Sequence, residues 1–211
     1  MGFYDLSKEA RVVLVNEMTN TILNDFKTNS IKKILEYFED EDTYIRKTAY
    51  QAVGKIYFAE KQLQASVLNG LKKLFTSADD KVRQTVINAA GEIGIVYFEI
   101  VQAFFDKGLE DEHHRVRNAV IGSIKKMADK NPKPVLVWCK KYVAHPDKEI
   151  RRQICHGIEL RGRTHPKDIL PLLKAFEFDE TTRVKNTLIH VLGQIAYKKG
   201  CLPKVITHLK T

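Results

Sequence analysis

The sequence predicts an all-α chain, an α-solenoid of stacked helical hairpins, from three observations. Gly and Pro are scarce, at 11 and 6 of 211 residues, too few for a turn-rich all-β chain. Hydrophobic residues make up 44% and charged residues 29%, enough apolar side chain to bury a core and exclude a disordered tail. Most telling, the chain repeats itself. An apolar residue followed by a cation recurs as Ile45-Arg46, Val82-Arg83, Val116-Arg117, Ile150-Arg151 and Val184-Lys185, with separations of 37, 34, 34 and 34 residues.

Each repeat reads as two helices. Three residues before each apolar member stands Asp42, Asp79, His113, Asp147 or Thr181. The three Asp and Thr181 suit a helix N-cap, accepting a backbone N–H bond. Apolar residues then follow helical spacing, as Val82, Val86, Ile87, Ala90 and Ile93 in the second copy and Val184, Leu188, Ile189, Leu192 and Ile195 in the fifth. A second amphipathic segment precedes each pair, for example Ile31-Ile34-Leu35-Phe38 and Ile169-Leu170-Leu172-Leu173-Phe176. One such hairpin leaves an apolar face uncovered, and stacking copies buries it. The first helix of each hairpin is expected outside and the second inside.

A leading helix over about 7–26, repeats over about 28–200 and a trailing helix over about 202–210 fill the chain. No Gly/Ser/Pro-rich linker interrupts them, so residues 1–211 read as one repeat domain. The trailing stripe of Leu202, Val205, Ile206 and Leu209 is expected to close on the preceding hairpin or to meet another molecule, since solenoid ends need covering.

The pattern Asp-x-x-(Val/Ile)-Arg at the start of the inner helix, with Gly54, Gly91 or Gly193 nine positions on, resembles HEAT repeats. The resemblance implies about five to six HEAT-like hairpins. The tetratricopeptide signature of Trp, Gly-Tyr and Pro is missing, although the period would fit.

Counting from the apolar residue of each pair, position two is Lys47, Gln84, Asn118, Arg152 and Asn186, and position six is Gln51, Asn88, Gly122, His156 and His190. Four residues apart, these positions share one helix face. Lys125, Lys126, Glu159 and Gln194 extend the stripe by a turn. A hydrogen-bonding surface and a merely solvated face both fit this pattern.

The net charge of +9 is unevenly placed. Residues 1–105 carry 13 Lys/Arg against 14 Asp/Glu, and residues 106–211 carry 22 against 12. A basic inner face suits an anionic polymer. The expected nucleic-acid-binding residues are Asn118, Lys125, Lys126, Arg151, Arg152, His156, Arg161, Arg163, Lys185, Asn186 and His190. Arg46, Arg83 and Arg117 are expected to serve the repeat itself, pairing with Asp residues near the turns. The doubled Arg151-Arg152 and the Arg161-Gly162-Arg163 triplet are expected to exceed that role. Gly162 is expected to be a helix C-cap, and Arg161, Arg163, His165 and Lys167 read equally as an anion-binding rim or as cations complementing a helix dipole.

Several chemistries are set aside. His156, Glu159 and His190 converge across two neighbouring inner helices on this register, and two imidazoles with a carboxylate suit zinc. No further ligand stands at a familiar spacing, so no metal and no cofactor are expected. Nucleotide-binding and serine-hydrolase glycine motifs are absent. Cys139, Cys155 and Cys201 form no CxxC and read as reduced thiols of a cytoplasmic protein, with Cys155 at a buried core position. The N-terminal stretch has no long apolar run after a basic start, so no signal peptide is expected. The longest apolar run, Ile93 to Phe98, falls short of a bilayer span. Trp138, the single tryptophan, is expected to pack in the core or on the outer face.

Residues from about 138 to 209 are also similar to the HEAT-like DNA alkylation-repair proteins, the alkylpurine glycosylases. The likeness lies in Trp138, in His145-Pro146-Asp147-Lys148-Glu149-Ile150-Arg151-Arg152, in His165-Pro166-Lys167-Asp168-Ile169-Leu170-Pro171-Leu172-Leu173, and in Asp179 through Val184-Lys185-Asn186 to Ile195. It implies a basic concave surface holding damaged DNA. It also implies a carboxylate among aromatic rings that stabilises the sugar cation as the base leaves. Glu159 is the only candidate for that carboxylate. Trp138 lies on an outer helix, so the ring pattern is not matched, and DNA binding is expected ahead of base excision. The other expected use of such a face is as a scaffold docking an acidic protein; no membrane partner is expected.

Overall fold

Inner helices begin where a polar turn supplies an acceptor for their first free N–H groups. Asp42, Asp79 and Asp147 each place Oδ1 2.7 Å from the backbone N two residues on. This is the N-cap bond the repeat pattern predicts. In the computed structural model, which describes residues 2–210, the described residues form helices and turns without a strand. The helices are α1 (Lys8–Lys27), α2 (Lys32–Glu39), α3 (Thr43–Ala59), α4 (Gln64–Leu74), α5 (Asp80–Leu109), α6 (His114–Lys130), α7 (Pro132–Lys140), α8 (Lys148–Gly157), α9 (Glu159–Thr164), α10 (Pro166–Leu173), α11 (Thr182–Ala196) and α12 (Leu202–Leu209). The fold is an all-α solenoid of HEAT-like hairpins.

Two caps depart from expectation. Thr181 makes no side-chain cap bond. Asp179 Oδ1 accepts from Thr181 N at 2.9 Å, a bond of the preceding turn like that of Asp40 to Asp42 N, and it leaves the first N–H groups of α11 without a side-chain cap. His113 brings Nδ1 to 3.4 Å from Arg115 N.

The chain divides into two compact units. The first runs to Ile93 and includes His113–Ala119; the second comprises Gly94–Glu112 and the chain from Val120 onward. In the first unit α1 packs on α2, α3 and α4, burying Met18, Ile22, Phe26, Ile34, Phe38, Val53, Tyr57 and Leu71. Each such side chain removed from water contributes about 1.5–3 kcal/mol.

In the second unit α11 packs on α8, α9 and α12, and α10 on α9 and α12. Trp138 is buried, its ring meeting Phe98, Phe105 and Tyr142. Its Nε1 donates to Asp106 Oδ1 at 2.6 Å, and Tyr142 Oη donates to the same oxygen at 2.7 Å. Burial and this bond push the Tyr142 phenol above its usual range. Cys155 is buried as expected, its thiol pushed up to about 12 by burial and by the charges of Asp179 and Glu159.

Three further details correct the sequence reading. Gly162 lies inside α9 rather than capping it; His165 is the C-cap. A Cβ at Gly162 would stand 2.5 Å from Ile195 Cδ1, so close helix approach explains the glycine. Ile189, read with the core stripe, is 68% exposed. Finally, α5 is long and apolar enough to cross a membrane by length and composition, with half of that window buried. Its backbone leaves helical geometry at Tyr97 (φ −123°, ψ 66°), so α5 is an inner helix running into the next outer helix without a loop. Of the trailing stripe, Val205 is buried and Leu202, Ile206 and Leu209 are 42–59% exposed.

Candidate functional site on the second unit

The inner arginines divide by what they hold. Arg46 Nη1 donates to Asp40 O and Glu41 O, and Arg83 Nη1 to Ser77 O and Ala78 O. Arg151 Nη1 makes the same clamp on His145 O at 2.7 Å and Pro146 O at 2.9 Å. Its Nε lies 2.5 Å from Asp179 Oδ2. Arg151 therefore shares the structural role that sequence reading reserved for the earlier copies.

The other nominated arginines are also paired. Arg152 Nη2 meets Glu149 Oε1 at 2.6 Å, one helical turn back. Arg161 Nη2 meets Asp168 Oδ2 at 2.6 Å, and Arg163 donates to Glu159 and to Gln194. The expected rim of Arg161, Arg163, His165 and Lys167 is not assembled: its two guanidiniums turn to different carboxylates, and His165 Nδ1 lies against Thr164 Oγ1.

Glu159 organises the centre of the face. It starts α9, and its side chain is 2% exposed. Oε2 lies 3.1 Å from Lys125 Nζ, 3.2 Å from His156 Nε2 and 3.7 Å from His190 Nε2. Oε1 is held by Arg163. Burial pushes this carboxyl up, but Lys125 and Arg163 outweigh it and hold Glu159 below the usual carboxylate range. Burial and then the Lys125 charge hold His156 below the ordinary histidine range, against the opposing pull of Glu159. The His156 and His190 rings meet nearly edge to face, 5.7 Å apart. What surrounds Glu159 is thus cations and imidazoles, not the aromatic rings that the repair-family resemblance implies.

Above this centre opens a shallow pocket of about 450 Å³, lined by Arg152, His156, Thr182, Arg183, Asn186, Thr187 and His190. Three of the nominated residues besides Arg152 thus come together there: His156, Asn186 and His190. Asn118, Lys126 and Lys185 are exposed elsewhere on their helices. Sequence reading missed Thr182 and Thr187, and did not place Arg183 in the site. The available signal was position: Thr182 and Arg183 open the last inner helix, where first-turn N–H groups and the dipole favour an anion.

No family model matches the chain, and no curated protein matches it. Among solved structures, a HEAT-like repeats protein from the archaeon Thermococcus onnurineus NA1 is similar at 16% identity and TM-score 0.45, over 87% of this chain and 76% of that one. The designed armadillo repeat protein YIII(Dq)4CqI is similar at 14% identity and TM-score 0.38, over 90% and 94%. A second designed armadillo protein, YIII(Dq.V1)4CPAF in complex with the peptide (KR)4, is similar at 14% identity and TM-score 0.40, over 89% and 92%.

Proposed function

We propose that the chain is a HEAT-type binding module whose second unit grips nucleic acid through its basic inner face. The observation that carries this reading is the pocket lining. Two guanidiniums, two imidazoles, two hydroxyls and one amide face the pocket, and among the described residues no carboxylate lines it. Glu149 and Glu159 lie behind those groups, bonded to Arg152 and to Lys125 and Arg163. A donor-rich concavity at a helix start suits a phosphate, and the surplus of 22 Lys/Arg over 12 Asp/Glu in residues 106–211 supplies the surrounding field. The choice of DNA over other anions follows the resemblance drawn from the sequence of residues 138–209, and it is the part of this reading that the binding experiment below decides. Base excision forms no part of the reading, because Glu159 is buried and paired. Three free cysteines support a reducing, cytoplasmic setting.

A second reading, a scaffold for an acidic protein, is favoured by one observation. The nominated arginines are each paired with a carboxylate side chain, the group that an acidic protein offers, rather than held out for a long phosphate chain. Fluorescence anisotropy with labelled duplex, single-stranded and abasic-site DNA at two near-physiological salt concentrations separates the readings. Nucleic-acid binding requires affinity that survives the higher salt and prefers one DNA form. In an Arg183→Ala/Lys185→Ala variant, affinity then falls and the salt slope drops by about 2, one per lost phosphate contact. Form-blind binding that vanishes with salt, or binding unchanged in the variant, refutes it and turns the search to an acidic partner.

A further inference from the structure

Three acceptor atoms from three helices converge beside this pocket: His156 Nε2 from α8, Glu159 Oε2 from α9 and His190 Nε2 from α11. All three lie within 4.8 Å of one another, with the carboxylate oxygen 3.2 Å and 3.7 Å from the two nitrogens. Around a tetrahedral ion with bonds of about 2.0–2.1 Å, adjacent donor atoms sit about 3.3 Å apart. Two edges of the cluster, 3.2 Å and 3.7 Å, are near that spacing, and a small movement of the exposed His190 ring closes the third.

The hydrogen-bond logic fixes what the cluster selects. Lys125 Nζ lies 3.0 Å from His156 Nε2 and 3.1 Å from Glu159 Oε2. An ammonium only donates, so His156 Nε2 accepts and its ring proton is on Nδ1. Nε2 and Oε2 are therefore two lone-pair atoms facing each other, which is tolerable only with a cation at hand. Lys125 provides one, on a flexible four-carbon stem that is 27% exposed and free to swing outward. Arg163 holds the far oxygen of Glu159 and is itself held by Gln194 at 2.8 Å. That is the outer support which orients a ligating carboxylate.

We propose that His156, Glu159 and His190 form a site for a divalent transition ion of the zinc class, with the Lys125 ammonium as its built-in competitor. The two imidazole donors select such ions over magnesium or calcium, which the single carboxylate would not do by itself. Three protein ligands leave a position for water or an anionic group. The ion displaces Lys125 and adds positive charge beside the donor-lined pocket. The site does not depend on the nucleic-acid reading, and its test uses no nucleic acid.

The test is calorimetric titration of the whole chain with Zn²⁺, together with the visible spectrum of the Co²⁺ form. One equivalent is expected, with a cobalt spectrum lacking thiolate charge-transfer bands. His190→Ala, at a side chain 52% exposed and so safe for the fold, is expected to weaken binding by more than the roughly 10–100-fold that loss of an outer partner costs. Lys125→Met is expected to tighten it by about tenfold or more, the effect of removing one adjacent like charge. Several results overturn the proposal: no saturable binding to the native chain, even if Lys125→Met binds; affinity unchanged by His190→Ala; or thiolate bands that move the ion to a cysteine.

Discussion

Arg151 on α8 joins Asp179 in the turn before α11, with Nε 2.5 Å and Nη2 3.1 Å from the two carboxylate oxygens. The pair closes a chain of bonds. Arg151 also clamps the carbonyls of the turn before its own helix, and Asp179 accepts from Thr181 N. One guanidinium thus ties together the turns that precede two neighbouring inner helices, α8 and α11. Its side chain is 17% exposed and that of Asp179 only 4%, so neither group is well served by water once the other is removed.

Arg151→Ala is therefore expected to destabilise the second unit by about 3 kcal/mol, the cost of leaving a largely buried charge and two carbonyls without a donor. Urea denaturation followed by circular dichroism measures it. A loss below about 0.5 kcal/mol would place the pair among surface bridges of little consequence. DNA affinity measured on the folded variant is expected to stay near the native value, because Arg151 is committed within the fold.

The same pair sets a pH dependence. The hydrogen bond from Arg151 holds the Asp179 carboxyl below its usual range, against the opposing effect of burial. A depressed folded value means the unfolded chain binds the proton first. The stabilisation is present above the unfolded value of about 3.9 and is lost as pH falls through the lower folded value. Comparing urea midpoints at about pH 6 and about pH 3, Asp179→Asn is expected to flatten the acid loss seen in the native chain. An identical acid profile in the variant would show that other carboxylates carry the loss.

Trp138 offers a direct view of the second unit. It is the only tryptophan, buried against Phe98 and Phe105, so its emission is expected to be blue-shifted when folded and to shift red as that unit opens. Trp138→Phe removes the 2.6 Å bond to Asp106 while keeping an aromatic ring. Circular dichroism melts are expected to show a loss of about 1–3 kcal/mol. An unshifted melt would mean that the bonds from Tyr142 and Gln102 satisfy Asp106 without it.

The repeat register was legible because it is a local signal: caps, apolar spacing and the recurring cation each sit within one hairpin. It also forecast that His156 and Glu159 would meet His190, since position six of adjacent copies must stack. Position nine holds Gly54, Gly91 and Gly193 in three copies but Lys125 and Glu159 in the third and fourth, and those two side chains become the 3.1 Å pair. What spacing cannot carry is choice of partner. Arg151, Arg152, Arg161 and Arg163 look alike as basic residues, yet each is drawn to a different carboxylate whose position depends on turn geometry. Ile189 follows the core stripe faithfully, yet neither α8 nor α12, which pack on α11, covers it, and it is exposed. Asp106, which anchors Trp138 and Tyr142, carries no motif at all.

Glycine positions test the stacking itself. A Cβ at Gly157 would meet Ile124 Cγ2 at 2.8 Å and Cβ at 3.0 Å. Ile124 is buried and β-branched, with one strongly preferred helix rotamer, so it yields only at a cost. Gly157→Ala is expected to cost about 1–3 kcal/mol through overpacking, reduced by the gain in helix propensity. Gly193 sits exposed inside α11 with nothing within 4 Å of where an added methyl would stand. There the only change is a stiffer unfolded chain and a better helix former, so Gly193→Ala is expected to stabilise by about 0.5–1 kcal/mol. Paired urea melts read both signs. If both substitutions raise the midpoint, close approach of the helices is not what keeps Gly157 a glycine, and the packing of α6 against α8 must be looser than the Ile124 distances require.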